Sequence, residues 1–174
     1  MSSRCRQNYH ETSEAEVNKQ INLELSASYA YLSMAYHFDR DDVALAGFYK
    51  FFKKSAEEEQ EHAEKLMKFQ NTRGGRIVLK DIKKPDFDDI TSPIESMKIA
   101  LDLEKKVNEA LFHLHEVAVT NKDDEMADFI ESNFLHEQTE GIKKLSDYIT
   151  NLERVGDGLG VYQFDKLTLD GDDN

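Results

Sequence analysis

The sequence predicts an all-α fold: a four-helix bundle with one long crossover loop and a short C-terminal fifth helix. Three observations carry this. The chain of 174 residues has only two prolines, Pro85 and Pro93, which leave long runs free of helix breakers on either side. Start and stop signals divide those runs into four helical segments of similar length. Two of the three joins between them are very short and force antiparallel neighbours, whereas the middle one is about 20 residues long. A helix of about 28 residues is roughly 42 Å long, a distance that about 20 extended residues cover. Two hairpins joined by one crossover give the single-crossover bundle.

The elements follow in order. Ser13-Glu-Ala-Glu16 has capping-box spacing and starts a helix over 13–40. A second runs from Asp41 or Asp42 to the stop at Gly74-Gly75, over 42–72. The crossover, 73–92, contains Arg76-Ile-Val-Leu-Lys-Asp-Ile82, which is expected to lie extended. Ser92-Pro93-Ile94-Glu95 is a second capping box with proline at the first helical position, opening a helix over 93–121. The fourth starts at Asp123 or Asp124 and spans 124–155, ending at Gly156. Residues 159–169 form a short fifth helix, and the acidic tail from Asp170 is expected to fray. All of 1–174 reads as a single domain.

Charge narrows the function. Thirty-five acidic against 22 basic residues give a net charge of −13. This excess argues against binding nucleic acid or anionic lipid and favours metal cations, or plain solubility. The one cysteine, Cys5, excludes an intrachain disulfide framework. No signal peptide and no membrane-length apolar stretch are visible, so a cytoplasmic protein is expected.

The chemistry lies where the apolar stripes break. At three- and four-residue steps the first helix reads Val17, Ile21, Glu24, Ser28, Tyr31, Ala35, Phe38, and the second Leu45, Phe48, Phe52, Ser55, Glu59, His62, Leu66. The third reads Met97, Leu101, Glu104, Val107, Leu111, Leu114, Ala118. The fourth reads Ala127, Ile130, Phe134, then Glu137 and Gln138, then Gly141, Leu145, Tyr148, Leu152. Each stripe carries a carboxylate or amide near its middle, and in an antiparallel bundle the midpoints share one level. Unpaired buried carboxylates cost several kcal/mol each, and no Lys or Arg occupies these stripes. A divalent cation removes the problem; oxygen ligands with one imidazole suit iron, manganese or zinc. Glu59-Gln-Glu-His62 puts carboxylate and imidazole on one face, as bundle di-iron sites do.

Each residue has a plainer meaning when taken alone. Glu24 or Glu104 would more often be a solvated or capping carboxylate, His62 a satisfied, partly buried histidine, and Tyr31 a core aromatic with its hydroxyl bonded. The coincidence of all four stripes is what favours a metal. Glu58, Glu61 and Glu64 read from the residues alone as a solvated face, with Lys65 and Lys68 placed for surface pairs; the alternative is a surface receiving metal from the core. Asp128 and Glu131 flank the fourth stripe, as exposed acids or as the lining of a pore between subunits. Glu109 and His113, with His115 and Glu116, form a second possible metal cluster, although most such pairs are surface features.

Nearly the whole chain resembles ferritin, of the ferroxidase-active heavy-chain type. The resemblance rests on Arg6-Gln-Asn-Tyr-His10, Ile21-Asn-Leu-Glu-Leu25, Asp39-Arg-Asp-Asp-Val-Ala44, Glu61-His-Ala-Glu-Lys-Leu-Met67, Arg73-Gly-Gly-Arg76, Asp81-Ile-Lys-Lys-Pro85, Leu103-Glu-Lys105 and Thr150-Asn-Leu152, in the right order. It implies a shell of 24 subunits, homo-oligomeric or mixed with other ferritin chains, that oxidises Fe2+ with O2 and stores Fe3+ mineral in its hollow. It implies no haem. By position, Glu24, Glu59 and His62 match the first iron site with Glu59 bridging. Glu104 matches a ligand of the second iron, Gln138 the amide beside it, and Tyr31 the adjacent tyrosine. Glu58, Glu61 and Glu64 match the mineral nucleation patch, which reverses the plainer reading. Asp128 and Glu131 match the lining of the three-fold channel, with His115 near it, and 159–169 matches the helix on the four-fold axes.

The chain also departs from the pattern. Gly156-Asp-Gly158 is a shortened turn, Leu167 stands where many vertebrate members have histidine, and Gln163 where they have an apolar residue, so a different four-fold pore is expected. Ala127 replaces a common cysteine, and Gly141 lies near the iron pair where the family varies. Two other classes are weighed against the ferroxidase. A non-catalytic light-chain shell conflicts with the intact set Glu24, Glu59, His62, Glu104 and Gln138. A di-iron oxygenase or reductase generally carries a second ExxH on the fourth helix, where Glu137 is here followed at i+3 by Glu140. A purely structural adaptor leaves the broken stripes unexplained.

Overall fold

The computed structural model describes residues 3–87 and 92–170, which form helices and loops with no strand among them. Helices α1 (Glu11–Phe38), α2 (Ala46–Thr72) and α3 (Pro93–Thr120) are unbroken. Helix α4 is one long helix in three segments: Asp124–Ile130, a π-helical turn Glu131–Leu135, and His136–Val155. The short α5 runs Leu159–Gln163 and continues in π geometry through Phe164–Leu169. α1 packs on α2, α3 on α4, and α1 on α3, while the end of α5 returns against α2. This is the four-helix bundle with a long crossover and a short fifth helix that the stripes predict.

Two helix starts differ from the sequence signals. α1 begins at Glu11, because the His10 ring accepts from the Thr12 N–H at 3.2 Å and caps it first. Ser13 is therefore inside the helix and buried, its Oγ accepting from Asn121 Nδ2 at 3.1 Å instead of capping. α2 begins at Ala46, not Asp42. Ala44 adopts φ 53°, a left-handed conformation that a helix cannot run through, and the Leu45 N–H reaches back to Phe38 O at 3.1 Å. The other two starts follow their signals. Ser92 accepts from the Glu95 N–H at 3.2 Å with Pro93 leading α3, and Asp123 accepts from the Met126 N–H at 3.1 Å ahead of α4. α4 stops where Gly156 turns to φ 70°.

The crossover is tied along α1 by two asparagines. Asn18 donates to Arg76 O at 2.9 Å and accepts from the Val78 N–H at 3.0 Å, while Asn22 donates to Lys80 O at 3.4 Å. These bonds stand in for a sheet partner along an extended segment. The end of the crossover, 88–91, and the tail, 171–174, lie outside the described residues.

Two carboxylates far from the bundle centre lock its ends. Asp123 is buried and takes a two-pronged ion pair from Arg73, at 2.8 and 2.9 Å. Asp165 on α5 is buried and accepts from the Phe48 N–H at 2.9 Å, capping α2 from 117 residues away. The approach is close enough that a Cβ on Gly47 would lie 2.2 Å from Asp165 O.

The apolar core falls into two clusters. One contains Tyr31, Phe38, Phe48, Phe52, Met97 and Leu145; the other contains Val17, Ile21, Leu66, Val107, Leu111, Ile130 and Phe134. On α4 the buried stripe includes Met126 in place of the expected Ala127. The gap between the clusters is filled by Glu59 and His62 on α2, Glu104 on α3 and Gln138 on α4, with Glu24 close by on α1.

Candidate metal centre

Glu24, Glu59 and His62 meet inside the bundle. Their exposures are 0%, 4% and 6%, and one ligand atom from each lies within 4.8 Å of the others. Glu59 and His62 face the same way because they are three residues apart on α2; His62 Nδ1 is 3.3 Å from Glu59 Oε2. Glu24 Oε1 accepts from Gln20 Nε2 at 2.7 Å, while its buried Oε2 has no hydrogen-bond partner. Buried polar atoms are normally satisfied, so an orphaned oxygen on a carboxylate grouped with a second carboxylate and an imidazole fits a cation. Among the described residues no other group of three or more His, Cys, Asp or Glu side chains is placed to hold one.

The other three expected site residues form a second group beside the first. Glu104 is half-buried; its Oε1 accepts from the Tyr31 hydroxyl, and its Oε2 and backbone carbonyl accept from Gln138 Nε2. Glu59 and His62 of the first group and Tyr31, Glu104 and Gln138 of the second line one cavity of about 120 Å³, with Glu58 and Gly141 at its wall. A Cβ on Gly141 would meet nothing within 4 Å, so this wall is open.

Electrostatics agree with the geometry. Burial, then the Glu59 carboxylate, pushes Glu24 well above the usual carboxylate range. Burial, then Glu104, pushes Glu59 up to about 8. Tyr31 is raised by burial and then by Glu104. Proteins do not ordinarily gather acids that resist ionisation into one layer unless another charge completes it.

The remaining expected residues lie at the surface. Glu58, Glu61 and Glu64 are exposed on α2, and burial of part of Glu58 raises it. The Glu61–Lys65 and Glu64–Lys68 pairs that the spacing allows do not form. Glu58 instead approaches Lys54 at 3.9 Å and Glu64 accepts from Gln60 at 3.1 Å. Exposed pairs gain too little to fix long side chains, so spacing alone does not decide them. Asp128 and Glu131 are exposed on α4, and His115 Nε2 crosses from α3 to 2.6 Å from Glu131 Oε1. His113 turns away from Glu109 and approaches Glu16 at 3.7 Å, so the second metal cluster does not assemble.

Two residues at the centre carried no assigned role in the sequence. Glu137 Oε2 lies 3.3 Å from His62 Nε2; it was visible only as an interruption of the fourth stripe. Gln20 gave no signal at all, because a single amide one turn from Glu24 is ordinary in a polar helix.

A four-helix bundle whose core is cut by a layer of carboxylates and one imidazole has the arrangement in which bundle proteins hold metal ions. Comparison with known proteins is more specific. The family model for the ferritin-like domain matches residues 14–155. The chain is 65% identical to soma ferritin of Lymnaea stagnalis over 167 residues, covering 96% of each chain. It is 59% identical to ferritin-1 heavy chain of Schistosoma mansoni over 170 residues, 98% of each. The chain belongs to the ferritin family.

Proposed function

We propose that the chain is an iron-storage ferroxidase. Fe2+ is its substrate, bound as a pair: Glu24, Glu59 and His62 hold one ion, Glu59 bridges, and Glu104 holds the second with Gln138 and Tyr31 beside it. The observation that carries this reading is the orphaned Glu24 Oε2 in a buried layer of two carboxylates and a histidine. The full-length similarity to a ferritin heavy chain supports it. Each of two Fe2+ gives one electron to O2, which with two protons leaves as hydrogen peroxide. The Fe3+ produced is the harder cation and is held well by oxygen donors until it hydrolyses.

The rest of the acidic surface serves transport. Asp128 and Glu131, with His115, line a channel that concentrates Fe2+ by its negative field. Glu58, Glu61 and Glu64 receive Fe3+ and nucleate the oxo-hydroxide mineral on the inner surface. Family members form multi-subunit shells, and we infer 24 subunits, either identical or mixed with related chains. A single exposed free cysteine suits a reducing compartment, and we place the shell in the cytoplasm. No helix among the described residues is long and apolar enough to cross a membrane.

One experiment tests class and assembly together. Metal-free protein receives Fe2+ without air and is then mixed with O2 under stopped-flow absorbance, and the same sample is sized. The expected result is fast O2-dependent oxidation at two Fe2+ per chain and a particle of 24 chain masses, about 480 kDa from 20.1 kDa each. Oxidation no faster than in buffer overturns the assignment.

A further inference from the structure

We propose that Gln20 is the positioning residue that makes Glu24 a one-oxygen ligand; the inference rests on the metal-site reading above. Gln20 is itself 3% exposed and lies one helical turn before Glu24 on α1. Its Nε2 donates to Glu24 Oε1 at 2.7 Å, while Oε2 is buried without a donor. A free carboxylate offers a cation two equivalent oxygens and rotates about its last bond between chelating and single-oxygen binding. An amide donor on one oxygen removes that freedom. Oε1 is committed to Gln20, and Oε2 alone is left without a partner in the group with Glu59 and His62. The ligand count of the first metal position is thus set by a neutral donor that never touches the metal, as outer partners commonly do for metal ligands.

The environment of Gln20 makes the idea testable. Its other flank lines a surface hollow of about 290 Å³ between α1 and α3, beside Glu16 and His113. A side chain of similar length has room there, so the hydrogen bond can be removed without overfilling the core.

The test uses Gln20→Met, which keeps the length and loses the donor, and Gln20→Glu, which keeps the shape and replaces the donor by an acceptor. Co2+ is the probe, added to metal-free assembled protein and followed by its visible bands and by titration calorimetry. The first Co2+ is expected to bind the parent with one spectrum. In Gln20→Met it binds about 10-fold to 100-fold more weakly with altered band intensities, since the coordination number changes. Gln20→Glu is expected to shift the bands in the same titration. Parent-like affinity and spectrum in Gln20→Met overturn the proposal; if that variant does not assemble, a parent-like spectrum in Gln20→Glu does so. Glu59→Ala tells this failure from failure of the site itself: first-site Co2+ binding that survives Glu59→Ala refutes the metal centre, whereas binding lost there but unchanged at Gln20 refutes only the role of Gln20.

Discussion

Two regions of the bundle bury carboxylates, and they treat them in opposite ways. At one end Asp123, 1% exposed, has both oxygens engaged by Arg73, and Oδ1 also takes the Met126 N–H. At the centre Glu24 and Glu59 are as deeply buried and lie together with a histidine, and Glu24 keeps an oxygen that nothing among the described residues engages. The first is a finished structural joint. The second is left with an unpartnered oxygen, and its acids are raised toward their neutral form by burial. Burial of an acid is therefore uninformative alone; what distinguishes a site is whether the protein completes the acid's partners.

Breaking the joint should produce the largest effect. Asp123→Ala strands Arg73, 12% exposed, and removes the α4 cap, and is expected to cost about 3–5 kcal/mol. Urea denaturation measures the loss, and iron oxidation per folded subunit should not change. Emptying the centre should do the reverse. In Glu59→Ala with His62→Ala, oxidation by stopped-flow absorbance should fall at least about 100-fold, near 2.7 kcal/mol of barrier. Thermal unfolding of the metal-free protein should not worsen, because a buried acid has been removed. Gly47→Ala tests the contact at the other end: its Cβ meets Asp165 O, and α5 must shift, at about 1–3 kcal/mol.

Titration sharpens the contrast. Glu59 holds its proton to about 8 in the folded chain against an ordinary 4.5, so the folded state binds more protons between those values. Metal-free stability should then fall as pH rises through that window, by at most about 1.4 kcal/mol per unit for this group. A saturating divalent cation should flatten the slope and release protons on binding, read in weakly buffered solution. The smallest effect is expected from Tyr31→Phe, which removes one donor to Glu104: about a few-fold in oxidation rate, with stability changed by about 1 kcal/mol.

The bundle was legible because each helix declares itself locally, through stripe, cap and breaker. The central layer was legible for a related reason. A carboxylate inside an apolar stripe is conspicuous before any distance is known, and four stripes broken at one level is a tertiary statement made in one dimension. What stayed hidden depends on pairing across distance. Asp165 caps a helix 117 residues away, and Asp123 looks like a simple helix cap until Arg73 arrives beside it. Ser13 lost its expected cap to His10, because a histidine ring that caps carries no sequence signal until the chain's entry path is known. The surface pairs of Glu61 and Glu64 failed because the energies that would fix them are small.

The π-helical turn at Glu131–Leu135 is the one place where α4 changes its pitch. In an α-helix a step of four residues overshoots a full turn by about 40°. Met126, Ile130, Phe134 and Gln138 are separated by three such steps, so in an unbroken helix Gln138 would stand about 120° round from Met126. All four are buried. The wide turn works as a gear between two shafts: it takes up the drift and lets one helix keep Asp128 and Glu131 outward at one end and Gln138 inward beside Glu104 at the other. Tightening that turn to regular α pitch with all its residues kept would leave every ligand in the chain and still swing the fourth wall of the centre out of mesh.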